Sequence, residues 1–506
     1  MRTDNAILAG LACLKVAIHL AANAFGAYGY VRDELYYLAC SDRMAWGYVD
    51  HPPFSVAALW LSRLVAGDSL IAIRVLPAVS GAVVVVLAGL ITRELGGRRF
   101  AQVFAACCTL AAPLTLGIDS VFSMNSFEVC LWTLASYQIV LLTKRDTGWQ
   151  WLLLGCTLGV GLLNKVSTLW FGAGLAVGLL MAPNRRVLLT WKPWAAAGLA
   201  GLMFLPHVLW QVANGYPTVE FMRNVAAGKY AAVSPGELLA QQALFMNPLT
   251  FPFWFGGLWY ALLGKARRPF RALPVIYLVV FAILAISRNV KAVYLTPLMP
   301  MLFALGAAAT ERLAGHRGWG WMRTAAPAVV LAGGVALAPM VLPVLPVDTY
   351  IAYADAIGVA PPQSESNRLG RLPQHYADMF GWEDMVAVVA AAYRSLSPSE
   401  RAQSVVFCNN YGEAGAIDFF GRRHGLPRAV SGHNNYWLWG PGDAGAVVIT
   451  IGGSEQALKR SYRSVERAGT IRNPYSMPYE NDLPVWVCRD RRTPLAADWA
   501  RFKNYN

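Results

Sequence analysis

"YVRDELYYLACSDRMAWGYVDHPPF", residues 30–54, sets Arg32, Asp33, Glu34, Asp42, Arg43, Asp50 and His51 directly after an apolar run long enough to cross a bilayer. The rest of the 506-residue chain is 56% hydrophobic and only 14% charged, against about 25% charged in soluble domains. Its mean hydropathy is +0.40. The composition predicts a polytopic α-helical membrane protein, and the charged stretch is then its first loop. Apolar runs recur at 6–26, 71–92, 101–118, 124–143, 149–163, 168–183, 193–211, 246–263, 272–287, 292–310 and 324–345. At roughly twenty residues per crossing, that is about eleven spans. No A-x-A-like cleavage site follows Leu20, so the first run is expected to be a retained anchor.

The formal net charge of +14 would suit nucleic acid in a soluble protein. Here the basic residues fall in short loops between spans, as the positive-inside rule expects, so no nucleic-acid partner is expected. The loops holding Arg93, Arg98 and Arg99, then Lys144 and Arg145, then Arg185, Arg186 and Lys192, alternate with loops poor in basic charge, as do those at 265–271 and 312–323. Placing the basic set in the cytoplasm puts the N-terminus inside. Residues 28–70, 212–245 and everything after about 346 then lie outside. "FSVAALWLSRLVAG", after Pro52–Pro53, is too short to span and reads as an interfacial helix. The 212–245 loop, broken by Gly and Pro, reads as a lid over a site at the membrane surface.

From about Val347 the composition turns soluble. "SVVFC" at 404–408 reads as a strand, 412–424 as a helix, and "AGAVVITIGG" and "LPVWVCRD" as further buried strands. The expected organisation is a membrane domain over 1–346, with 28–70 as its key loop, and an α/β domain over 347–506. The eight cysteines form no CxxC pair. Cys408 and Cys488 are the two that an oxidising compartment could join.

The acidic residues at the outer edge carry the chemistry. Asp33 and Glu34 are adjacent carboxylates at a membrane–water boundary, where one in a partly dry site can serve as a general base. The plainer reading is a solvated start to a helix over 34–44, with acids near its N-terminus. Asp50 and His51 project from a segment that Pro52–Pro53 keeps extended. They suit a metal or a phosphate, or simply a turn, and as a pair they fall short of the three or four ligands of a usual metal site. A divalent metal is therefore left open, with Asp50 and His51 as its ligands. Asp119, Asn125 and Glu128 come to the edge of two spans, and a carboxylate inside a span is by default a functional hypothesis. Lys165, Arg288 and Lys291 supply cations on an otherwise lean outer surface, suited to a phosphate, although Lys165 could also only snorkel.

These residues resemble a family. Asp-Glu-x-Tyr-Tyr at 33–37, a polar residue before Pro-Pro, "RVLPAVSG", "SMNSFEVCLW", "LLNKVS" and "KAVYLTPLMP" occur in the order found in GT-C glycosyltransferases that use polyprenyl-phosphate sugars. That superfamily contains the protein O-mannosyltransferases and the lipid A aminoarabinose transferase. The resemblance covers about residues 28–310. It implies the GT-C fold, a bacterial inner-membrane location with a periplasmic C-terminal domain, and a polyprenyl-phosphate-linked sugar as donor. The acceptor would be a lipid, a glycan or a protein. It further implies that Asp33 is the base, with Glu34 its motif neighbour, and that His51, Lys165, Arg288, Lys291 and Tyr294 lie near the donor phosphate. His51 stands where relatives of the aminoarabinose transferase carry Lys, and Asn125 where many members carry Asp. Asn125, Glu128 and Asp119 would then face the acceptor or the sugar. Tyr411, Glu413, His433, Asn434, Asn435, Tyr436 and Trp437 would line a sugar or acceptor groove, or alternatively pack the outer domain onto the membrane part. The competing function is a transporter or flippase for a lipid-linked sugar. It explains the spans but not the charged first loop, and the hydropathy pattern has no two-fold repeat.

Overall fold

In the computed structural model, residues 2–228, 233–264, 269–287, 291–358, 367–442 and 445–506 are described. The chain opens with α1 (Arg2–Phe25), the short α2 (Arg32–Ser41), α3 (Phe54–Ala66) and the long α4 (Leu70–Glu94). There follow α5 (Arg99–Leu110), α6 (Pro113–Ser120), α7 (Met124–Leu142), α8 (Gly148–Asn164), α9 (Thr168–Met181) and α10 (Lys192–Ala213). The membrane part continues with α11 (Pro217–Gly228), α12 (Pro235–Phe245), α13 (Phe251–Leu263), α14 (Ala272–Ser287), α15 (Met299–Arg317) and α16 (Met322–Leu337). Each of the eleven apolar runs is helical over most of its length. Among the described residues, five helical segments are long and apolar enough to cross a membrane, or six if the bent pair α5–α6, kinked by 59°, makes one span. The remaining runs form shorter helices, among them α9 and α14, so length alone does not carry the expected count of about eleven.

Burial separates the helices by role. The segment ending in α15 has 83% of its apolar window buried and forms the centre, whereas α1 and α10 have 22% and turn most of their surface outward. Such apolar outward faces are what lipid-facing helices carry. The basic loops gather at one end, where Arg99 pairs with Asp4 (2.6 Å), Lys144 with Glu94 (2.8 Å) and Lys192 with Asp146 (3.0 Å). At the opposite end α3 buries Ser55, Val56 and Leu59 and exposes Trp60, Leu61, Leu64 and Val65. At thirteen residues it reaches only about 20 Å, which fits the interfacial helix expected there.

The C-terminal segment adds α17 (Val347–Ile357), α18 (Gln374–Ala377), α19 (Trp382–Ser395), α20 (Pro398–Ala402) and α21 (Tyr411–Phe420). Around them runs a sheet of β1 (Ser404–Cys408), β2 (Ala429–Ser431), β3 (Val447–Ile451), β4 (Tyr462–Ile471) and β5 (Leu483–Arg491), in the order β2-β1-β3-β5-β4. The first three are parallel, with Val406 opposite Ile449, and the last two run antiparallel, with Ile449 opposite Val487. β4 was not foreseen: its burial alternates poorly and it carries Arg463, Glu466 and Arg467 on an edge. Cys408 and Cys488 are both buried and both free thiols.

The first loop belongs to the core of this sheet domain. Leu35, Tyr36, Leu38 and Cys40 of α2 share one apolar cluster with Val386, Val406, Ala414, Ile417 and Ile449. Two glycines of α21 permit the approach. A Cβ on Gly415 would lie 2.7 Å from the Leu35 carbonyl carbon, and one on Gly412 would collide with the Arg32 side chain. Thus α2 is not a solvated interfacial helix over 34–44: eight of its ten residues are buried.

Candidate active site

Asp33 and Glu34 are neighbours with opposite surroundings. Glu34 is 1% exposed and its carboxylate is fully occupied. It accepts hydrogen bonds from Arg74 Nε (2.8 Å) and Nη2 (2.6 Å), from the Phe122 amide (2.7 Å) and from the Val31 amide (2.9 Å). Arg74, buried inside α4, also donates to Asn23 Oδ1 and to the Gly29 carbonyl, both at 2.9 Å. One carboxylate thereby ties the start of α2 to α4 and to the turn that begins α7. This corrects the pairing of Glu34 with Asp33 as a second catalytic carboxylate, because no lone pair is left for a substrate. Arg74 was missed, although a lone arginine in "LIAIRVLP" is the kind of intramembrane charge that signals a partner.

The Asp33 side chain is 52% exposed. Its Oδ1 accepts from the Tyr411 hydroxyl at 2.8 Å, and Arg32 Nε lies 3.6 Å away. Arg32 itself is buried, donating to the Tyr479 hydroxyl (2.7 Å) and standing 3.8 Å from Asp378. Asp33 therefore has open coordination toward solvent and a phenol that fixes its orientation.

Asp50, His51 and three tyrosines continue the site from Asp33 inward. The Tyr36 hydroxyl donates to Asp50 Oδ1 at 3.0 Å. Burial raises the Asp50 carboxyl above its ordinary value, while the nearby His51 and the Tyr36 hydrogen bond pull the other way. His51 is 1% exposed, stacked on Tyr37 (4.7 Å) and close to Tyr48 (4.8 Å). Its Nδ1 donates to the Pro52 carbonyl (3.1 Å) and its Nε2 faces Asp50 at 3.9 Å. An imidazole enclosed by tyrosines is an aromatic wall rather than the exposed cation that a lysine would be at this position. Among the described residues no group of three or more His, Cys, Asp or Glu gathers around Asp50 and His51 or elsewhere.

Tyr37 leads into the membrane half. Its hydroxyl accepts from the Met124 amide at 3.3 Å, at the start of α7. One and four residues on, Asn125 Oδ1 and Glu128 Oε2 accept from Lys165 Nζ at 2.9 and 2.7 Å. Ser167 hydrogen-bonds the second Glu128 oxygen, and the ammonium sits 5.0 Å from the Tyr294 ring. Residues from three separated motifs thus converge: the start of α7, the junction of α8 and α9, and the 292–298 turn. Lys291 opens that turn, its carbonyl accepting from the Tyr294 amide at 3.1 Å. Arg288 lies outside the described residues. Two of the three Lys165 donors are used, which leaves one.

Other expected residues lie elsewhere. Asp119 does not join Asn125 and Glu128; its carboxylate is 2.9 Å from Lys15 Nζ, both buried between α6 and α1. His19, one turn after Lys15, contacts the Ser120 hydroxyl at 3.2 Å. Lys15, His19 and Asn23 form an i, i+4, i+8 stripe on α1, a signal readable in the first apolar run and passed over. Of the residues expected in the outer domain, Tyr411 reaches Asp33, and the Asn435 amide donates to the Tyr36 hydroxyl at 3.3 Å. The Glu413 carboxylate accepts from the Asn409 amide (2.7 Å) and the Asn410 side chain (3.2 Å), which also bonds Glu480 (2.8 Å). Burial pushes Glu413 up to about 7 against hydrogen bonds from Asn409 and Glu480 that pull it down, and burial followed by the Glu413 charge raises Glu480 well above its ordinary value. Tyr436 donates to Asp418 (2.9 Å), Asn435 accepts from the Val49 amide (2.7 Å), and the Trp437 indole donates to the Trp499 carbonyl (3.1 Å). His433 bonds the Asn506 carbonyl (3.1 Å), and Asn434 is buried at a positive φ of 46°. These side chains hold the domain together and onto the first loop; they do not line an open groove.

Residues 50–210 match the sequence profile of the family described as dolichyl-phosphate-mannose-protein mannosyltransferase. No curated protein matches the chain by sequence. The crystal structure of ArnT from Cupriavidus metallidurans bound to undecaprenyl phosphate superposes with a TM-score of 0.62 at 14% identity, covering 94% of this chain and 97% of that one. The apo form of the same protein gives 0.60 at 14% identity with the same coverage. The fold is thereby the GT-C fold of ArnT, including the outer sheet domain, and residues 50–210 resemble the dolichyl-phosphate-mannose-protein mannosyltransferases.

Proposed function

We propose that this chain is an integral membrane glycosyltransferase that moves a sugar from a polyprenyl-phosphate donor to an acceptor at the outer face of the inner membrane. The observation that carries the reading is the arrangement of two unlike half-sites on one continuous wall. An open carboxylate, Asp33, stands on the outer side, and a lysine held by Asn125 and Glu128 stands at the membrane edge. A water-borne acceptor meets the first and a lipid-borne phosphate meets the second.

The reaction is a single displacement with inversion. The acceptor hydroxyl oxygen attacks the anomeric carbon, its proton passes to an Asp33 carboxylate oxygen, and the bond from that carbon to the phosphate oxygen breaks. The electron pair leaves with the polyprenyl phosphate. The remaining Lys165 donor, and Lys291 nearby, stabilise charge on the departing phosphate, as preorganised donors do. Tyr411 keeps Asp33 oriented, and Glu34 with Arg74 holds α2 against the start of α7, so that the two halves keep their spacing. Asp50, its side chain 19% exposed, is held by the Tyr36 hydroxyl on a floor packed by the buried His51 and tyrosines.

The test is release of polyprenyl phosphate by purified protein offered undecaprenyl-phosphate-linked hexoses and pentoses with envelope lipid and glycan acceptors. Sugar transfer with stoichiometric release of lipid phosphate supports the reading. Movement of the intact lipid-linked sugar across vesicles, without transfer, would instead establish the flippase.

A further inference from the structure

Ten residues after Asp33, at the other end of α2, a second cluster of charge surrounds a cavity of about 80 Å³ lined by Asp42, Arg43, Asp418, Arg422 and Arg428 among others. Along a helix this is about 15 Å from Asp33, so the cavity is separate from the site described above. We propose that it binds a phosphate group, as a monoester or diester, independently of the donor phosphate.

The argument is one of unmatched charge. Asp42 is already claimed by Arg63 Nη1 (2.7 Å) and by Arg422, and Arg63 also holds Asp68 (2.6 Å). The Asp418 carboxylate is turned to its own domain, accepting from the Ala429 amide (2.8 Å) and the Tyr436 hydroxyl (2.9 Å). Four guanidinium groups, of Arg43, Arg63, Arg422 and Arg428, thus face three carboxylates, all three with donors in place. Neither Arg43 nor Arg428 has a carboxylate within ion-pair distance among the described residues. Arg43 is instead held over the Trp439 ring at 4.3 Å, which fixes its plane beside the cavity. Arginine recognises phosphate through paired, charge-assisted hydrogen bonds, and a tetrahedral dianion is the ligand that would bond these two guanidiniums, which Asp418 attracts without a direct ion pair.

The surroundings set the level at which the ligand arrives. Met44 and Trp46 follow Arg43 and are 46% and 61% exposed, and Arg63 lies on α3, whose Trp60 and Leu64 are also exposed. Exposed tryptophans beside arginines are typical of the headgroup layer. A phospholipid headgroup and a free phosphate share the required chemistry, and the experiment separates them.

The full-length chain is used in two settings, both without a sugar donor, so the outcome does not depend on the transferase reading. Inorganic phosphate is titrated into detergent-solubilised protein and followed by calorimetry. Phosphatidylglycerol in a phosphatidylcholine nanodisc is followed by native mass spectrometry of the lipid retained. Binding in the first setting alone assigns a free phosphate, and in the second alone a headgroup; either supports the site. Arg43→Gln with Arg428→Gln is expected to weaken binding about tenfold or more. Arg423→Gln, an exposed arginine paired with Glu383, should leave it intact. Arg428→Gln alone carries the test if the double variant does not fold. No binding in either setting, equal binding by wild type and variant, or an equal loss in Arg423→Gln overturns the proposal.

Discussion

Asp33 and Glu128 are the carboxylates of the two halves of the site, and their surroundings differ in every respect. Asp33 stands on a loop helix, half exposed, with a single phenol donor at 2.8 Å. Glu128 is buried within α7 and is neutralised by Lys165 at 2.7 Å, with Ser167 on its other oxygen. A carboxylate with free lone pairs and access to water can receive a proton. One that is paired and enclosed can only hold its partner in place. The outer half is also assembled across two domains, since Tyr411 comes from the sheet domain, whereas the membrane half is built from α7, the junction of α8 and α9 and the 292–298 turn of the bundle itself. On the proposed function, chemistry falls to the half that needs two domains to form, and phosphate binding to the half the membrane bundle makes alone.

This division can be broken most forcefully at Asp33. Asp33→Asn is expected to lower the transfer rate about 10³-fold, the size of a lost general base, while the protein still folds and inserts. The next largest effect is on stability. Glu34→Gln leaves Arg74 buried without its charge partner and should destabilise the fold by about 3–5 kcal/mol, read as a lowered unfolding temperature. Loss of transfer with unchanged stability in that variant would move Glu34 into the chemistry and erase the contrast with its neighbour.

A pH effect sharpens the comparison from the outer domain. Burial raises Glu413 from 4.5 to about 7, and raises Glu480 as well, next to Arg32 and Asp378. The folded state then holds protons that the unfolded state releases, so stability is greatest below about pH 4.5 and falls as pH rises through 7. The expected loss is on the order of 3 kcal/mol from Glu413, and Glu413→Gln should flatten the profile. An unfolding temperature independent of pH between 5 and 8 would contradict this. Smallest is Tyr411→Phe, which removes one hydrogen bond to a charged group and should slow transfer about tenfold with little change in donor affinity.

Much of this was legible from residues alone. The eleven apolar runs, the interfacial helix after Pro52–Pro53 and the strands at 404–408 and 447–451 follow from period and turn chemistry, and each is found. Asn125, Glu128, Lys165 and Tyr294 were singled out separately, and the fold brings them to one point. What could not be read was which charges are matched. Glu34 and Asp33 look alike in a string, and only the position of Arg74, forty residues away, tells them apart. Asp119 looked like a site residue because its partner, Lys15, sits in a span that seemed merely apolar. The polar run at 433–437 resembled a groove because Asn, His and Trp bind sugars and backbone with the same groups. Here the C-terminal residues and the first loop take those bonds.

The most direct measurement is the affinity of Asp33→Asn and Lys165→Met for undecaprenyl phosphate, taken side by side in the same detergent. If the outer half carries the chemistry and the membrane half the phosphate, Asp33→Asn binds as wild type and Lys165→Met binds about tenfold or more weakly. Wild-type affinity in Lys165→Met, with the loss appearing in Asp33→Asn, would contradict the account.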